Sequence, residues 1–170
     1  VTWRRLTDMY SGSKCVFAGG SDEPIDPRDI EQGAIGTCFL LGPLASLAAT
    51  RPQALRSMIV ATSEKWGAFA VAFFFNMRWT LVIVDDYVPC NSGGAPLFSM
   101  NKDRSRFWVP VIEKAYAKLH GCYENIDGGL ERYVMADILG SVGFVVRIGE
   151  MSESDPGCGK LWQLIMSKVR

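Results

Sequence analysis

The chain has 170 residues, and 48% of them are hydrophobic, which fits one globular domain that buries a full core. Its 18 Lys and Arg residues are balanced by 18 Asp and Glu residues, which argues against binding to nucleic acid or to an anionic membrane. The longest wholly apolar run, residues 68–75, is far shorter than the roughly 20 residues that span a bilayer, and no signal-peptide pattern opens the chain. We therefore expect a soluble, cytoplasmic protein.

The sequence of residues 1–59 predicts a loop followed by two helices. Residues 1–30 are rich in Gly, Asp and Pro and are predicted to wrap the surface as loop. From Cys38 an almost continuous apolar run predicts a helix that is buried on all sides. Arg51 and Pro52 should end this helix and begin a shorter one that reaches about Ile59.

The second part predicts a small antiparallel hairpin followed by more helices. Asp85 and Asp86 mark the end of the second strand, where adjacent side chains point to opposite faces. We therefore expect them to fix the following loop and not to act as paired catalytic carboxylates. The predicted elements are strands at 68–75 and 79–84, helices at 107–119 and 130–139, a strand at 143–148 and a helix at 161–169. Together they predict a helix-rich α+β domain.

The five cysteines are spaced too widely for a zinc knuckle or a disulfide-dense scaffold. They are Cys15, Cys38, Cys90, Cys122 and Cys158. Their odd number and the lack of a C-x-x-C pair predict reduced thiols in a reducing compartment.

One of these thiols, Cys38, stands at the start of the predicted apolar helix, directly after a turn that contains Gly33 and Gly36. The N–H groups of a helix N-terminus stabilise a thiolate, which makes Cys38 a candidate nucleophile. Gln32 lies six residues earlier across the turn, so its side-chain amide and the Cys38 N–H could form an oxyanion hole. The residues alone leave the alternative open that Cys38 is a small buried residue and Gln32 a solvated amide.

Several segments, in the same order, resemble the calpains, which are papain-like cysteine proteases. The matching segments are residues 3–5, 32–47, 84–89, 107–118, 121–124 and 161–169. This resemblance implies that residues 1–170 form the first lobe of a protease core, with a buried central helix that starts at the nucleophile. The chain begins without Met and stops within a predicted helix, so we expect a fragment of a longer polypeptide.

The resemblance implies that Cys38 is the nucleophile and that Gln32 is the oxyanion donor. In the family, a second lobe carries the His and Asn that complete the triad, and we expect that lobe to be the partner of this chain. His120 is the only histidine here. It falls at the end of a predicted helix where the family has no catalytic group, so we expect it to cap that helix.

The calcium site that the resemblance implies for this lobe is degenerate. The matching positions are Ala18, Gly20, Asp29 and Arg106. The last of these is a Glu in the family, and an arginine donates hydrogen bonds only and cannot coordinate calcium. We therefore expect no cofactor in this lobe, with calcium left to other parts of the full protein, and we expect the Arg106 guanidinium to pair with Asp29 in place of the metal.

Three further departures surround the nucleophile and keep a non-catalytic alternative open. Thr37 stands where the family has Asp, Phe39 where it has Trp, and Pro43 lies within the helix, where it should favour a kink. The first interpretation is an endopeptidase lobe that is inactive alone and acts on protein substrates. The alternative is a catalytically silent scaffold or binding module with cytoskeletal partners.

Overall fold

Helices make up much of the described structure. The computed structural model describes residues 1–9, 17, 25–63, 65–143 and 156–168. The helices are α1 (Leu6–Met9), α2 (Cys38–Thr50), α3 (Pro52–Met58), α4 (Trp108–Leu119), α5 (Glu131–Leu139) and α6 (Pro156–Lys168). The predicted positions of α2 to α5 are confirmed, and α6 begins at Pro156, earlier than predicted. Among these described helices, none has both the length and the apolar character that crossing a membrane would require.

Three small antiparallel sheets accompany the described helices. Strand β1 (Thr2–Arg5) pairs with β6 (Tyr87–Cys90), β2 (Ile30–Glu31) pairs with β7 (Met100–Asn101), and β3 (Ile59–Ser63), β4 (Ala68–Phe75) and β5 (Arg78–Asp85) form the third sheet in that order. The prediction of loop throughout residues 1–30 is wrong at both ends, where β1, α1 and the start of β2 lie. The strand predicted at 143–148 lies outside the described residues from residue 144 onward.

The predicted hairpin is confirmed as β4 and β5, with a tighter turn than expected. Phe75 pairs with Arg78, so the turn consists of Asn76 and Met77 alone. Their φ angles are 50° and 63°, and positive φ at both central residues is the geometry that matches the twist of a two-residue hairpin. The strands therefore pair without a break from Ala68↔Asp85 to Phe75↔Arg78.

The core lies between one face of this sheet and the helices. On β4, the side chains of Phe69, Val71 and Phe73 are buried. On β5, burial alternates, because Val82 and Val84 are buried while Leu81 and Ile83 are exposed. This period of two gives the sheet one core face and one solvent face.

Helix α2 is not buried on all sides, which corrects the prediction. Phe39, Leu40, Leu44 and Leu47 are among its buried residues. An exposed stripe, however, begins at the thiol and continues along the helix, through Cys38, Gly42, Ser46, Ala49 and Thr50. The helix runs without interruption through Pro43, which is buried. One side of α2 thus faces the core and the other opens to solvent at the candidate nucleophile.

Asp85 and Asp86 occupy different environments, as predicted. Asp85 accepts a hydrogen bond from the Tyr87 N–H at 2.8 Å and so holds the segment that follows, as expected, whereas Asp86 holds the N-terminal segment. Asp86 is fully buried and accepts hydrogen bonds from Arg5 Nε at 3.1 Å and Thr7 Oγ1 at 3.0 Å. Asp85 is exposed and pairs with Lys114 on α4. The two carboxylates therefore fasten the N-terminal strand and a helix, and they share no site.

Candidate active site

The turn before α2 places the candidate nucleophile at the first helical position. Thr37 is the N-cap residue, and Cys38 begins the helix with an exposed side chain. The first N–H groups of a helix lack intrahelical partners, so the Cys38 thiol lies beside donors that favour negative charge. Cys38 is thus an exposed residue at the N-terminus of α2, and its role as a nucleophile stays a prediction.

Gln32 lies at the other end of the same turn, and its side chain is exposed. Its Nε2 atom donates a hydrogen bond to the carbonyl of Ile35 at 3.0 Å. A carboxamide nitrogen carries two hydrogens, so this bond orients the amide while leaving a second N–H on the same atom. Gln32 is thus held on the turn that leads into Cys38, and its role as an oxyanion donor stays a prediction.

One side of the turn is pressed against the backbone of residues 97–98. Ala34 donates its N–H to the carbonyl of Leu97 at 2.8 Å. A Cβ atom added at Gly33 would lie 2.3 Å from the carbonyl oxygen of Phe98 and 2.4 Å from that of Leu97. Backbone oxygens cannot swing away as a flexible side chain can, so this close approach requires glycine.

The other side of the turn is fastened by residues 127–128. The N–H of Gly36 donates to Asp127 Oδ1 at 2.7 Å, and the N–H of Gly128 donates to the carbonyl of Gly36 at 3.1 Å. Both backbone groups of Gly36 are therefore bound, two residues before the thiol. The turn is held from two sides, as a preorganised site requires.

Directly beneath the turn, a buried carboxylate binds the residue that precedes the nucleophile. Glu113 on α4 is 1% exposed, and its Oε1 atom accepts a hydrogen bond from Thr37 Oγ1 at 2.7 Å. Its Oε2 atom accepts two more, from Ser99 Oγ at 2.6 Å and from the Ser99 N–H at 2.8 Å. Burial raises the pKa of Glu113, against the opposing effect of these donors.

A cleft of about 310 Å³ opens next to the turn. Its lining includes Phe39, Tyr116, His120, Gly129, Tyr133 and Asp137. The Phe39 ring lies against Gly129, where an added Cβ would come within 2.4 Å of it. The cleft therefore has aromatic walls and one carboxylate, that of Asp137, and Phe39 in its wall directly follows Cys38 in the sequence.

His120 occupies the C-cap position of α4, as predicted. Its ring packs against Tyr116 at 4.4 Å and Phe75 at 5.4 Å between centroids, and its Nε2 atom is 3.8 Å from Asp137 Oδ2. The Tyr116 hydroxyl donates to the same Asp137 oxygen at 2.9 Å, and burial together with that carboxylate raises the pKa of Tyr116. His120 is therefore part of an aromatic and acidic cluster on the wall of the cleft.

The predicted calcium positions fall only partly within the described residues. Ala18 and Gly20 lie outside them. The buried Asp29 accepts hydrogen bonds on both oxygens, from Asn101 Nδ2 and from the Asp103 N–H, each at 2.6 Å. Arg106 forms an ion pair with Asp103 at 3.1 Å, so Asp103 links the two residues that we expected to pair directly.

The described residues around Asp29 do not fit a calcium ion. They form a cleft of about 280 Å³ lined by Asp26, Arg28, Asp29, Lys102, Asp103 and Arg106. Three of these six side chains are cations, whereas calcium requires about six to eight oxygen ligands. Within the ranges that the structure describes, no cluster of His, Cys, Asp and Glu side chains is arranged to hold a metal ion.

The other described thiols differ from Cys38 in environment. Cys90 is buried, and burial raises its pKa. Cys122 is exposed and precedes a single 3-10 turn at Tyr123–Ile126. These three cysteines carry free thiols, in agreement with the prediction from their spacing.

Glu113, Ser99 and Asp127 are the residues of this site that the sequence analysis missed. Glu113 stands next to Lys114 and looks like part of a solvated helix face. A signal was nevertheless present, because Val109, four residues before Glu113, and Tyr116, three residues after it, place it on the buried face of α4. A charged residue on such a stripe indicates a buried carboxylate with partners.

Comparisons with known proteins point to one family. The sequence profile described as "Calpain family cysteine protease" matches residues 1–170. The chain is 33% identical over 172 residues to the rice (Oryza sativa subsp. japonica) "Calpain-type cysteine protease ADL1", covering 96% of this chain and 8% of that protein. It is 36% identical over 156 residues to human "Calpain-12", covering 89% of this chain and 21% of that protein. It is 30% identical over 173 residues to human "Calpain-2 catalytic subunit", covering 99% of this chain and 23% of that protein.

Proposed function

Because the chain belongs to the calpain family of cysteine proteases, we propose that it is the first lobe of a calpain-type endopeptidase. Cys38 is the nucleophile of this lobe, and Gln32 is its oxyanion donor. The observation that carries the proposal is the position of an exposed thiol at the start of α2, on a turn that also holds Gln32. A scaffold has no need for that arrangement.

The chemistry follows from the groups on the turn. The Cys38 thiolate attacks the carbonyl carbon of the peptide bond, and the carbonyl electrons move onto oxygen. The Gln32 amide and the Cys38 N–H donate hydrogen bonds to that oxyanion. The proton for the leaving amine comes from a histidine outside this chain, because His120 packs into the cluster with Tyr116 and Asp137.

The partner of this lobe is a second protease lobe that supplies the His and Asn. The chain spans about a tenth to a quarter of the length of the curated relatives quoted above, so most of each relative lies outside the matched region. We propose that the chain alone does not hydrolyse peptides, and that the complete cleft accepts extended segments of protein substrates.

This lobe works without calcium of its own. Asp29, Asp103 and Arg106 connect the segments that a metal would otherwise bridge. Calorimetric titration of the chain with calcium should show no micromolar binding. An Arg106→Glu substitution should weaken the connection to Asp103 without lowering the reactivity of Cys38.

The departures near the nucleophile do not favour the non-catalytic alternative. Thr37 has a defined partner in Glu113, and Phe39 fills the space against Gly129. Cytoskeletal partners stay a prediction from the family resemblance, and a cytoplasmic location stays a prediction from the composition and the cysteine spacing.

Peptide-resolved alkylation of the folded chain with iodoacetamide tests the nucleophile. Cys38 and Cys122 are both exposed, but only Cys38 begins a helix of 13 residues, where N–H groups stabilise the thiolate. We expect Cys38 to be modified several-fold faster than Cys122 at neutral pH. Equal rates for the two thiols would contradict an activated nucleophile in this lobe.

A further inference from the structure

Glu113 is bound to both segments that form the candidate active site, although it belongs to neither of them. One carboxylate oxygen accepts from Thr37, the residue before Cys38. The other accepts from the hydroxyl and the N–H of Ser99. The three donors are separated from Glu113 by 14 to 76 positions in sequence, so α4 acts as the common support of two distant loops.

On the nucleophile side, the bond to Glu113 keeps the Thr37 hydroxyl away from the start of α2. A Thr at the N-cap ordinarily accepts a hydrogen bond from an N–H of the first turn. Thr37 makes no such side-chain cap, and its hydroxyl donates to Glu113. The N–H groups of Leu40 and Leu41 donate to the Thr37 carbonyl, so the Thr37 side chain leaves the N–H groups of Cys38 and Phe39 for the thiolate and the oxyanion.

On the oxyanion side, Ser99 fixes the backbone that supports the turn. Residues 97–98, which immediately precede it, receive the Ala34 hydrogen bond and contact Gly33. Any shift of Ser99 would move the carbonyls against which the turn beginning at Gln32 is pressed. Glu113 therefore sets the position of the turn relative to Cys38.

The burial of Glu113 is costly for a residue that only fills space. A buried carboxylate loses its hydration and is often replaceable by an apolar side chain without loss of stability. Its three hydrogen bonds satisfy both oxygens and fix the geometry of two loops, which an apolar side chain could not do.

We propose that Glu113, acting through Thr37 and Ser99, is a positioning residue for the cysteine protease chemistry of this lobe. The inference rests on the proposed function, because it concerns how Cys38 and the oxyanion turn are aligned. Glu113 does not touch the substrate, and its effect reaches the reaction only through the two loops.

The test compares variants of the folded chain by the rate at which iodoacetamide modifies Cys38, divided by the rate for Cys122 in the same sample. Thr37→Val removes the hydroxyl at nearly constant shape, whereas Thr37→Ser keeps it. Glu113→Gln alters the carboxylate itself, and Glu131→Gln, at an exposed position on α5, is its matched control. The unfolding midpoint of each variant is measured alongside.

We expect Thr37→Val and Glu113→Gln to lower the Cys38 ratio by about two- to tenfold, because a displaced turn moves the thiolate away from the N–H groups of the helix N-terminus, whose interaction with a charge is worth about that factor. Thr37→Ser and Glu131→Gln should keep the ratio of the original chain. Restoration by serine would show that the hydroxyl bond matters, which a general loss of packing would not explain.

Two results would overturn the inference while leaving the proposed function intact. One is a lower unfolding midpoint in Thr37→Val with an unchanged Cys38 ratio, which would assign the bond a structural role alone. The other is the same ratio of Cys38 to Cys122 modification in Thr37→Val as in Thr37→Ser. This comparison can be made even if Glu113→Gln fails to fold. If Cys38 in the original chain reacts no faster than Cys122, the proposed nucleophile itself fails, which is a different outcome.

Discussion

Gly33 is the residue of the candidate site at which an added methyl group has least room. The Phe98 and Leu97 carbonyls would lie within 2.4 Å of the new Cβ. Gly33→Ala should therefore displace the turn and lower the free energy of unfolding by about 1–3 kcal/mol, the typical cost of overpacking. Urea denaturation of the chain measures this change.

Gly42 provides the matched control for that substitution. It lies within α2 on the exposed stripe, and an added Cβ would meet nothing within 4 Å. Gly42→Ala should raise the free energy of unfolding by about 0.5–1 kcal/mol, because alanine restricts the unfolded chain and favours helix. If both alanine variants changed stability in the same direction, the close approach at Gly33 would be disproved.

The dependence of the free energy of unfolding on pH should show the titration of Glu113. Burial raises its pKa in the folded state above the ordinary value of 4.5, so the folded chain binds more protons than the unfolded chain between these two values. Stability should therefore fall as the pH rises from 4.5 toward the raised pKa. Glu113→Gln should lack this fall.

Denaturant unfolding of both proteins across this pH range gives the measurement. The difference between the two curves isolates Glu113, because other carboxylates titrate equally in both proteins. Parallel curves for the original chain and Glu113→Gln would show that Glu113 titrates alike in the folded and unfolded states.

Sequence and structure agree on the residues of the nucleophile turn and disagree on what supports them. The sequence could place Cys38 and Gln32 on one turn because the motif and its glycines are local, and their chemical roles stay predictions. Glu113 was missed because its burial depends on where Thr37 and Ser99 fold, at positions far away in the sequence. Arg106 was assigned to Asp29 for the same reason, whereas Asp103 joins the two.

At the level of elements, the register of β5 makes a direct prediction. Leu81 is 62% exposed and Val82 is 7% exposed, although they are neighbours on one strand. Leu81→Thr should change the free energy of unfolding by no more than about 0.5 kcal/mol, as is usual for surface substitutions. Val82→Thr should lower it by about 1–3 kcal/mol, because it buries a hydroxyl in the core.

Equilibrium unfolding of the two threonine variants tests the register. A one-residue slip would exchange the two faces of the strand. A larger loss for Leu81→Thr than for Val82→Thr would therefore contradict the pairing of β4 with β5.

The turn of this hairpin contains a residue under strain. Met77 has a φ of 63° and a side chain that is 86% exposed. Its left-handed backbone conformation is therefore unfavourable, and side-chain packing does not offset that cost. Met77→Gly would create the Asn-Gly sequence that two-residue turns favour and should stabilise the chain by about 0.5–1 kcal/mol. A thermal unfolding midpoint at or below that of the original chain would show that Met77 is not strained.

Some elements could be predicted from their own residues, whereas others form only by pairing with distant segments. Helix α2 was predicted from an almost continuous apolar run, α3 from the Arg51-Pro52 pair that precedes it, and α4 from apolar residues that repeat at helical spacing. Strands β1, β2, β6 and β7 have two to four residues, too few for a period to show. Their partners lie far away in sequence, as in the pairing of Thr2 with Cys90, so their formation depends on the tertiary fold.

At the scale of the whole molecule, we propose that this lobe provides half of a catalytic site. It supplies an exposed thiol, an oriented carboxamide and a turn held by hydrogen bonds from two loops. The cleft lined by Phe39, Gly129 and Asp137 has in its wall the residue that follows Cys38. In the proposed mechanism, the general base is a histidine outside this chain.

Hydrolysis of a fluorogenic peptide by the full-length parent protein is the most direct measurement of whether Cys38 and Gln32 perform this chemistry. We expect Cys38→Ser to abolish turnover and Gln32→Ala to lower kcat by about a hundred- to a thousandfold, the usual cost of one oxyanion donor. Gln53→Ala, an exposed position on α3, should leave turnover unchanged. Measurable turnover by Cys38→Ser, or an unchanged kcat in Gln32→Ala, would contradict the assignment of Cys38 and Gln32 as catalytic residues.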